Sequence, residues 1–341
     1  MSALQAVVDQ ELGSALILED DVDWDVRLKA QMGIFAMASR TWLNMEAKRM
    51  KGVVIRPEAK AKSSQQHTSK LSEPRQRPPI IAEDLNSDLD LDLKFDSEKE
   101  IREQFEEDTV PLPPPDDHGG GRGRSKAAVS QYGDSWDVLW IGHCGADLPQ
   151  HRSHGASSSP LKISVLDDVT VPAPKHLKPH PFALPDRLAA LYPPHTRVVH
   201  AADGNVCSLA YAVSREGARK LLGLFTHDGY TKQFDLMLRD YCMGQLLFED
   251  DGESPPLCLT VQPPLISHHY AGEAKAGAAA EKGGGGASVS NIRGQGGGLL
   301  KDKRGSPYIR LSVQENMKRL LAGRPLDELL DQLPDDGEPL W

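Results

Sequence analysis

Glu19, Asp20 and Asp21 stand at the end of a short apolar run, in the string Ala15-Leu16-Ile17-Leu18-Glu19-Asp20-Asp21-Val22-Asp23-Trp24-Asp25. Three adjacent carboxylates repel one another unless positive charge neutralises them, and a hard divalent cation with oxygen ligands does that. The three acids are therefore candidate metal ligands. A helix-loop-helix calcium loop fails: counted from Asp21, Val26 sits at the position that needs glycine and Met32 at the one that needs glutamate. A phosphatase with an aspartyl nucleophile would use Asp21 with Asp23, but no partner motif that would activate such a carboxylate follows. Two readings remain beside it, a solvated acidic loop and the metal-diphosphate site of a sugar transferase.

Other groups with usable chemistry lie downstream. His268 and His269 follow Pro263-Pro264-Leu265-Ile266-Ser267, and neutral imidazole can complete a divalent site, particularly with manganese; a surface histidine pair is the alternative. Gly142 and His143 end the run Trp136-Asp137-Val138-Leu139-Trp140-Ile141, where a glycine lets backbone approach a ligand closely, so both are candidate donor-site residues. His143, Cys144, His151 and His154 match no common structural zinc spacing. Asp235 falls at the start of a helical stripe formed by Phe234, Leu238 and Tyr241, where a carboxylate can be a mere dipole partner.

The elements that must position these groups are partly legible. The unbroken ALIL run suits a strand covered on both faces, as in a parallel sheet flanked by helices, whose ligands bind at the carboxyl ends of the strands. A helix over 3–12 (Leu4, Val7, Val8, Leu12) precedes it, and an amphipathic helix (Leu28, Met32, Phe35, Ala36) follows, with a second apolar patch at Trp42 and Leu43. Residues 56–134 turn polar, charged and rich in Pro and Gly, which predicts a disordered insertion with a transient helix at 97–107; Asp88, Asp90 and Asp92 within it read as a solvated tract. Further strands are expected at 136–142, 195–200, 207–213 and 257–261, and Ser214 should cap a helix bearing Ala218, Leu221, Leu222 and Phe225. Residues 271–305 form a Gly-rich linker. In the tail 306–341, Ser312 to Glu315 is a capping box that opens a helix running to Gly323, with a shorter helix after Pro325.

Together, ALILEDDVDWD, SWDVLWIGHCG at 135–145, RVVHAADGNVCSLAYAVSREGARKLL at 197–222, FDLMLRDYC at 234–242 and PPLISHHYAGE at 263–273 resemble glycosyltransferase family 25. That family includes bacterial lipooligosaccharide and collagen galactosyltransferases, and the chain is most similar to its fungal members. The resemblance implies an α/β fold of the GT-A-like, Rossmann-like kind, a mixed sheet flanked by helices. Residues 1–55 and 135–270 would be its two parts. It implies an inverting transfer of galactose from a UDP-sugar to a glycan or protein hydroxyl, with Mn2+ or another divalent cation at Glu19, Asp20, Asp21 and one of His268 or His269. Asp235 matches a family motif acid and becomes the candidate acceptor-side base. Family members carry a further αβ segment before the first helix that supplies much of the nucleotide pocket. The chain begins without it, so the expectation is a domain incomplete at its N-terminus, either a fragment or a protein with an incomplete pocket. The family's serine-aspartate-isoleucine element matches Ser290-Asn291-Ile292, with Asn in place of the acid. The resemblance also implies the Golgi or ER lumen, although the first residues lack a secretory signal's basic and apolar regions.

Composition narrows the classes without choosing one. A formal charge of -10 disfavours nucleic acid or an anionic membrane surface as a partner held by a general field. No apolar run is long enough to span a bilayer. Mean hydropathy of -0.44 says that much of the chain stays outside a packed core. Cys144, Cys207, Cys242 and Cys258 form no CxxC pair and allow three disulfide pairings; buried free thiols are the favoured expectation. A catalytically inactive relative that only binds is the second function class left open.

Overall fold

The computed structural model describes residues 2–51, 109–112, 130–149, 159–180, 183–227, 232–246, 256–271 and 304–340. The predicted helix at 97–107, Asp88, Asp90, Asp92, His151, His154 and Ser290-Asn291-Ile292 lie outside those residues.

A mixed nine-stranded sheet organises them. Its main order is β1 (Ser14–Leu18), β7 (Ala210–Ser214), β4 (Val138–Gly142), β8 (Cys258–Gln262), β6 (Arg197–Ala201), β5 (Lys162–Val165) and β3 (Thr109–Pro111). A side pair, β2 (Val22–Trp24) and β9 (Ile266–His268), joins at the end of β4, where Gly142 meets Ile266. The pairings of β4 with β8 and β9 and of β3 with β5 are parallel, and the others in this sheet are antiparallel.

Helices cover both faces of the sheet. On one, α2 (Leu28–Met50) lies across β5 and β6. Its Phe35, Ala38 and Trp42, three and four residues apart, pack on Leu139, Ile141, Ile163, Val199 and Val261. The two apolar patches expected after the acids are thus one helix of 23 residues, and Trp42 Nε1 donates to the Leu161 carbonyl at 2.8 Å. On the other face, α1 (Ser2–Asp9), α4 (Arg215–His227) and α5 (Phe234–Cys242) bring Leu4, Val7, Leu221, Leu238 and Tyr241 onto Val138, Trp140, Tyr211 and Val213. Alternate residues of β4 therefore serve opposite cores, which is why its sequence is apolar without alternation. Ser214 caps α4 as expected, its hydroxyl accepting from Gly217 N at 2.9 Å. A short helix, α3 (Leu188–Leu191), sits beside a smaller cluster of Leu148, Val171, Leu177, Val198 and Tyr308.

Four expectations are corrected. β1 is not a parallel strand covered on both faces; it ends the sheet order, antiparallel to β7, with Leu16 and Leu18 exposed while Ala15 and Ile17 face α1 and α4. A four-residue apolar run reports one covered face as readily as two. The stretch 56–134 is not a continuous disordered insertion. Thr109–Pro111 is the edge strand β3, where a proline without an N–H is tolerated, and the Tyr132 ring packs on Phe35 with centroids 6.2 Å apart. The cysteines are paired, Cys144 with Cys207 and Cys242 with Cys258, each with Cα atoms 5.5 Å apart. The first pair forms because the loop after β4 bonds the loop before β7, Cys144 N donating to Val206 O at 2.9 Å.

The fourth correction concerns the tail. Beyond the strand pair β10 (Tyr270–Ala271) and β11 (Arg304–Gly305), it contains the capped helix α6 (Val313–Leu321) and only one 3-10 turn at Leu326–Glu328. Ser312 accepts from Glu315 N at 2.9 Å, as the capping box requires. The rest is turns and irregular chain built into the molecule, with Tyr308, Ile309 and Leu333 buried.

Candidate functional site

The acidic string divides by strand periodicity. Val22 and Trp24 of β2 face the core around α2, so Asp23 between them points to the opposite side. Register places Val22 opposite His268 in β9, and His269 N donates to Asp21 O at 3.0 Å. Asp21 itself lies in the turn before β2, and from there its carboxylate meets His268, Oδ2 to Nδ1 at 3.3 Å, with both side chains about nine-tenths buried. Carboxylate and imidazole held together at a partly desolvated position form two adjacent donors of the kind a borderline divalent cation prefers. Tyr270 stacks edge-on against His268, ring centroids 4.5 Å apart, and fixes its plane.

The neighbouring acids do other things. Glu19 is exposed; its N–H bonds Leu209 O at 2.9 Å and its carboxylate accepts from Ser208 Oγ at 2.8 Å. Asp20 is exposed at the turn into β2. Asp23 is fully buried and saturated: Oδ1 accepts from Trp24 N and Gln314 N, and Oδ2 from the hydroxyls of Ser306 and Ser312. With those four donors, Asp23 has no room to work with Asp21 as a nucleophile pair. Asp25, also buried, pairs with Arg27 at 2.7 Å and accepts from Leu311 N at 3.0 Å. Of the two late histidines, only His268 reaches Asp21. His269 turns the other way, Nδ1 lying 3.0 Å from Ser306 Oγ, and burial lowers its pKa although Asp23 and Glu315 oppose that shift. Among the described residues no group of three or more His, Cys, Asp or Glu side chains could hold a metal. Asp21 with His268 is a pair, to which a bound diphosphate would have to add oxygens, as is usual for small hard cations.

Asp235 sits in the first turn of α5, Oδ2 accepting from Cys207 N at 3.0 Å and Oδ1 from Leu236 N at 2.9 Å. Because the next residue, Ser208, holds Glu19, the segment Cys207–Leu209 brings Asp235 to the same rim as the end of β1. Each carboxylate oxygen has two lone pairs, so both keep accepting capacity.

His143 and Gly142 are placed differently from the expectation. His143 is 1 % exposed. Its Nε2 is 2.9 Å from Val261 O, and burial pushes its pKa down to about 4 against that hydrogen bond. It lines the interior. Of the four residues weighed for zinc, Cys144 is moreover spent in a disulfide. Gly142 is demanded by packing: a Cβ there would lie 2.7 Å from Ala210 Cβ and 2.8 Å from Ala210 N. Gly142→Ala is therefore expected to cost about 1–3 kcal/mol through overpacking, read as a lower urea midpoint at unchanged m-value; a neutral substitution would remove this packing argument.

Sequence reasoning missed a polar row on the sheet face that also carries Trp140. Lys162, His200 and Thr260 lie side by side across β5, β6 and β8, with Asn205 donating to Thr260 Oγ1 at 2.9 Å; all four are buried. The available signal was polar residues at the inward positions of otherwise apolar strands. His200, whose Nδ1 is 2.7 Å from Ala201 O, is pushed down to about 3, chiefly by burial. Two histidines neutral in the fold bear on stability. Below about pH 6.5 the unfolded chain gains protons that the native state refuses until about pH 4 or 3. Stability should thus fall as pH drops from 6.5 towards 4, by about 1.4 kcal/mol per pH unit per group once the unfolded histidines are charged. Urea midpoints between pH 7 and 5 test this, and His200→Gln should flatten the slope. No pH dependence in that window would contradict the burial.

Compared with family models, curated proteins and solved structures, the chain finds no match. Any functional reading therefore rests on the geometry above and on the sequence resemblance. No helix among the described residues is long and apolar enough to cross a membrane.

Proposed function

We propose that the chain is a glycosyltransferase of the family 25 kind with a GT-A-like fold, moving a sugar, galactose by resemblance, from a UDP-sugar to a glycan or protein hydroxyl with inversion. The observation that carries this reading is the contact between Asp21 and His268, 3.3 Å apart although they lie far from each other in the sequence. Asp21 and His268 would hold Mn2+ or another divalent cation, with the oxygens of the donor diphosphate completing its ligands. Bound there, the cation would supply Lewis-acid stabilisation of the charge that gathers on the diphosphate. The chain's own residues set the geometry: the β2–β9 pairing fixes the two donors, and Ser208 steadies the Glu19 carboxylate. Asp235, on the rim beside Glu19, would take the proton from the acceptor hydroxyl, since inversion needs one base opposite the leaving group. Two disulfides suit the oxidising secretory lumen that the resemblance implies.

The test is turnover of UDP-galactose with Mn2+ and a panel of sugar and hydroxylysine acceptors, scored for transfer and for slow hydrolysis. A second reading, an inactive relative that binds donor without transfer, is favoured by one observation. Both oxygens of Asp235 already accept backbone N–H groups, so the carboxylate has a structural task in holding Cys207 to the start of α5. UDP-galactose binding with neither transfer nor hydrolysis would select it. Phosphatase chemistry loses ground because Asp23 is saturated; phosphate release from an aryl phosphate would revive it.

A further inference from the structure

We propose that the segment 304–316 is a strap that positions the Asp21–His268 pair, acting through Asp23, with Ser306 and Ser312 as the positioning residues. The inference rests on the cation-site reading above and adds to it the part played by the end of the chain.

β2 is only three residues long, and β9 is its sheet partner. A three-residue rung pattern is too short to hold a side chain in place by itself. The strap supplies the second side. Val26 N donates to Leu311 O at 2.9 Å, Asp25 forms a bridge with Ser312, and the Asp25 carboxylate accepts from Leu311 N at 3.0 Å. In the middle of β2, Asp23 collects the Ser306 and Ser312 hydroxyls and the Gln314 N–H. The last of these belongs to the first turn of α6, so the positive end of that helix also faces the carboxylate. Ser306 reaches in the second direction as well, its Oγ 3.0 Å from His269 Nδ1. One serine thus bridges the residue two after Asp21 to the residue next to His268. That cross-link between β2 and β9 lies outside their backbone pairing and sets how the two strands approach each other at the site.

Nothing in this arrangement brings the strap to the cation as a ligand. Its serines are fully buried and their hydroxyls are committed to Asp23. Their effect on a bound ion must pass through the position of Asp21 and His268, so it should appear as affinity and in the KM for donor more than in folding. Outer partners that orient metal-binding side chains typically change metal affinity 10- to 100-fold when removed.

The experiment uses the full chain and Mn2+ in the presence of UDP as the probe, followed by electron paramagnetic resonance or calorimetry, with thermal unfolding in parallel. Ser306→Ala and Ser312→Ala should each weaken Mn2+ binding about 10-fold or more. Ser312→Thr, which keeps the hydroxyl and the helix cap, should stay within about 3-fold of the parent. Asn316→Ala is the control for mere loosening. It breaks the bonds of Asn316 to the Leu330 N–H and carbonyl, beyond the strap, and to the Ser312 carbonyl, but leaves the serine hydroxyls on Asp23 in place, and should lower the unfolding temperature while leaving Mn2+ affinity unchanged. Equal affinity in all four variants, or an equal loss in Asn316→Ala, overturns the strap while leaving the cation site standing. A parent chain that does not bind Mn2+ overturns the cation site itself, and the strap with it.

Discussion

Asp21→Asn is expected to lower Mn2+-dependent transfer from UDP-galactose by about 100-fold or more, with no loss of thermal stability beyond about 1 kcal/mol. The side chain keeps its shape and loses its charge, so the fold has little to lose. The carboxylate meets the His268 imidazole at 3.3 Å, a contact that the isosteric amide can still make. The cation, by contrast, would lose the charged half of its protein-derived pair. The decisive measurement is kcat/KM across a Mn2+ titration. If the loss is one of cation affinity, excess Mn2+ restores part of the rate; if Asp21 also aligns the donor, it does not. Full turnover by Asp21→Asn would detach the activity from this site.

The largest stability effect is expected at Asp168→Ala. Arg197 is 2 % exposed and directs Nε to Asp168 Oδ2 at 2.7 Å, Nη1 to Pro263 O at 2.7 Å and Nη2 to Thr170 Oγ1 at 3.0 Å. Removing Asp168 leaves a guanidinium in the interior without its counter-charge, a change that costs roughly 3–5 kcal/mol. Asp168→Leu combined with Arg197→Met should cost less than Asp168→Ala alone, because the damage lies in the orphaned charge. The same pair sets an acid limit. Burial alone would raise the Asp168 pKa, but the Arg197 charge and the Thr170 and Arg197 hydrogen bonds outweigh it and hold it below the ordinary 3.8. A carboxylate depressed in the fold contributes stability that is fully present above its unfolded pKa and is lost as pH falls through the lower, folded value. The Arg197–Asp168 contribution should therefore persist down to about pH 4 and disappear below it. Urea midpoints of parent and Asp168→Ala should differ widely at pH 6 and converge at the acid end; a constant gap would show that the charge is not what the pair provides.

What the sequence revealed and what it hid follow from the range of the interactions. β4 was legible because a strand covered on both faces writes that fact into consecutive residues. The start of α2 was legible because Leu28, Met32 and Phe35 repeat at the helical period, whereas Trp42 and Leu43 read as a separate patch and belong to the same helix. The capping of α4 by Ser214 and of α6 by Ser312 is local chemistry within four residues, and it was read correctly. The acids at 19–21 and the imidazole at 268 were identifiable as types, while their meeting depended on the β2–β9 register, which no local pattern records. The fate of Asp23 was the larger miss. In the sequence it figured only as a possible partner of Asp21 in an acid-x-acid pair, because the donors that bury it, Ser306, Ser312 and Gln314, come from far along the chain. The four cysteines likewise gave three possible pairings, and only the approach of the Cys144 loop to Val206 selects one. β1 misled because four apolar residues look alike whether one side or both are covered.

The bond between Cys144 and Cys207 carries a practical consequence. Both side-chain contacts at the rim, Asp235 to the Cys207 N–H and Ser208 to Glu19, hang from the stretch that this single covalent stitch fastens to the end of β4. Protein prepared in a reducing cytosol, or assayed with a thiol in the buffer, would have that stitch undone while the apolar layers on either side of the sheet stayed packed. Such material would look well folded by circular dichroism with its rim loosened, so a failed transfer assay counts against the proposed activity only once the disulfides have been shown intact.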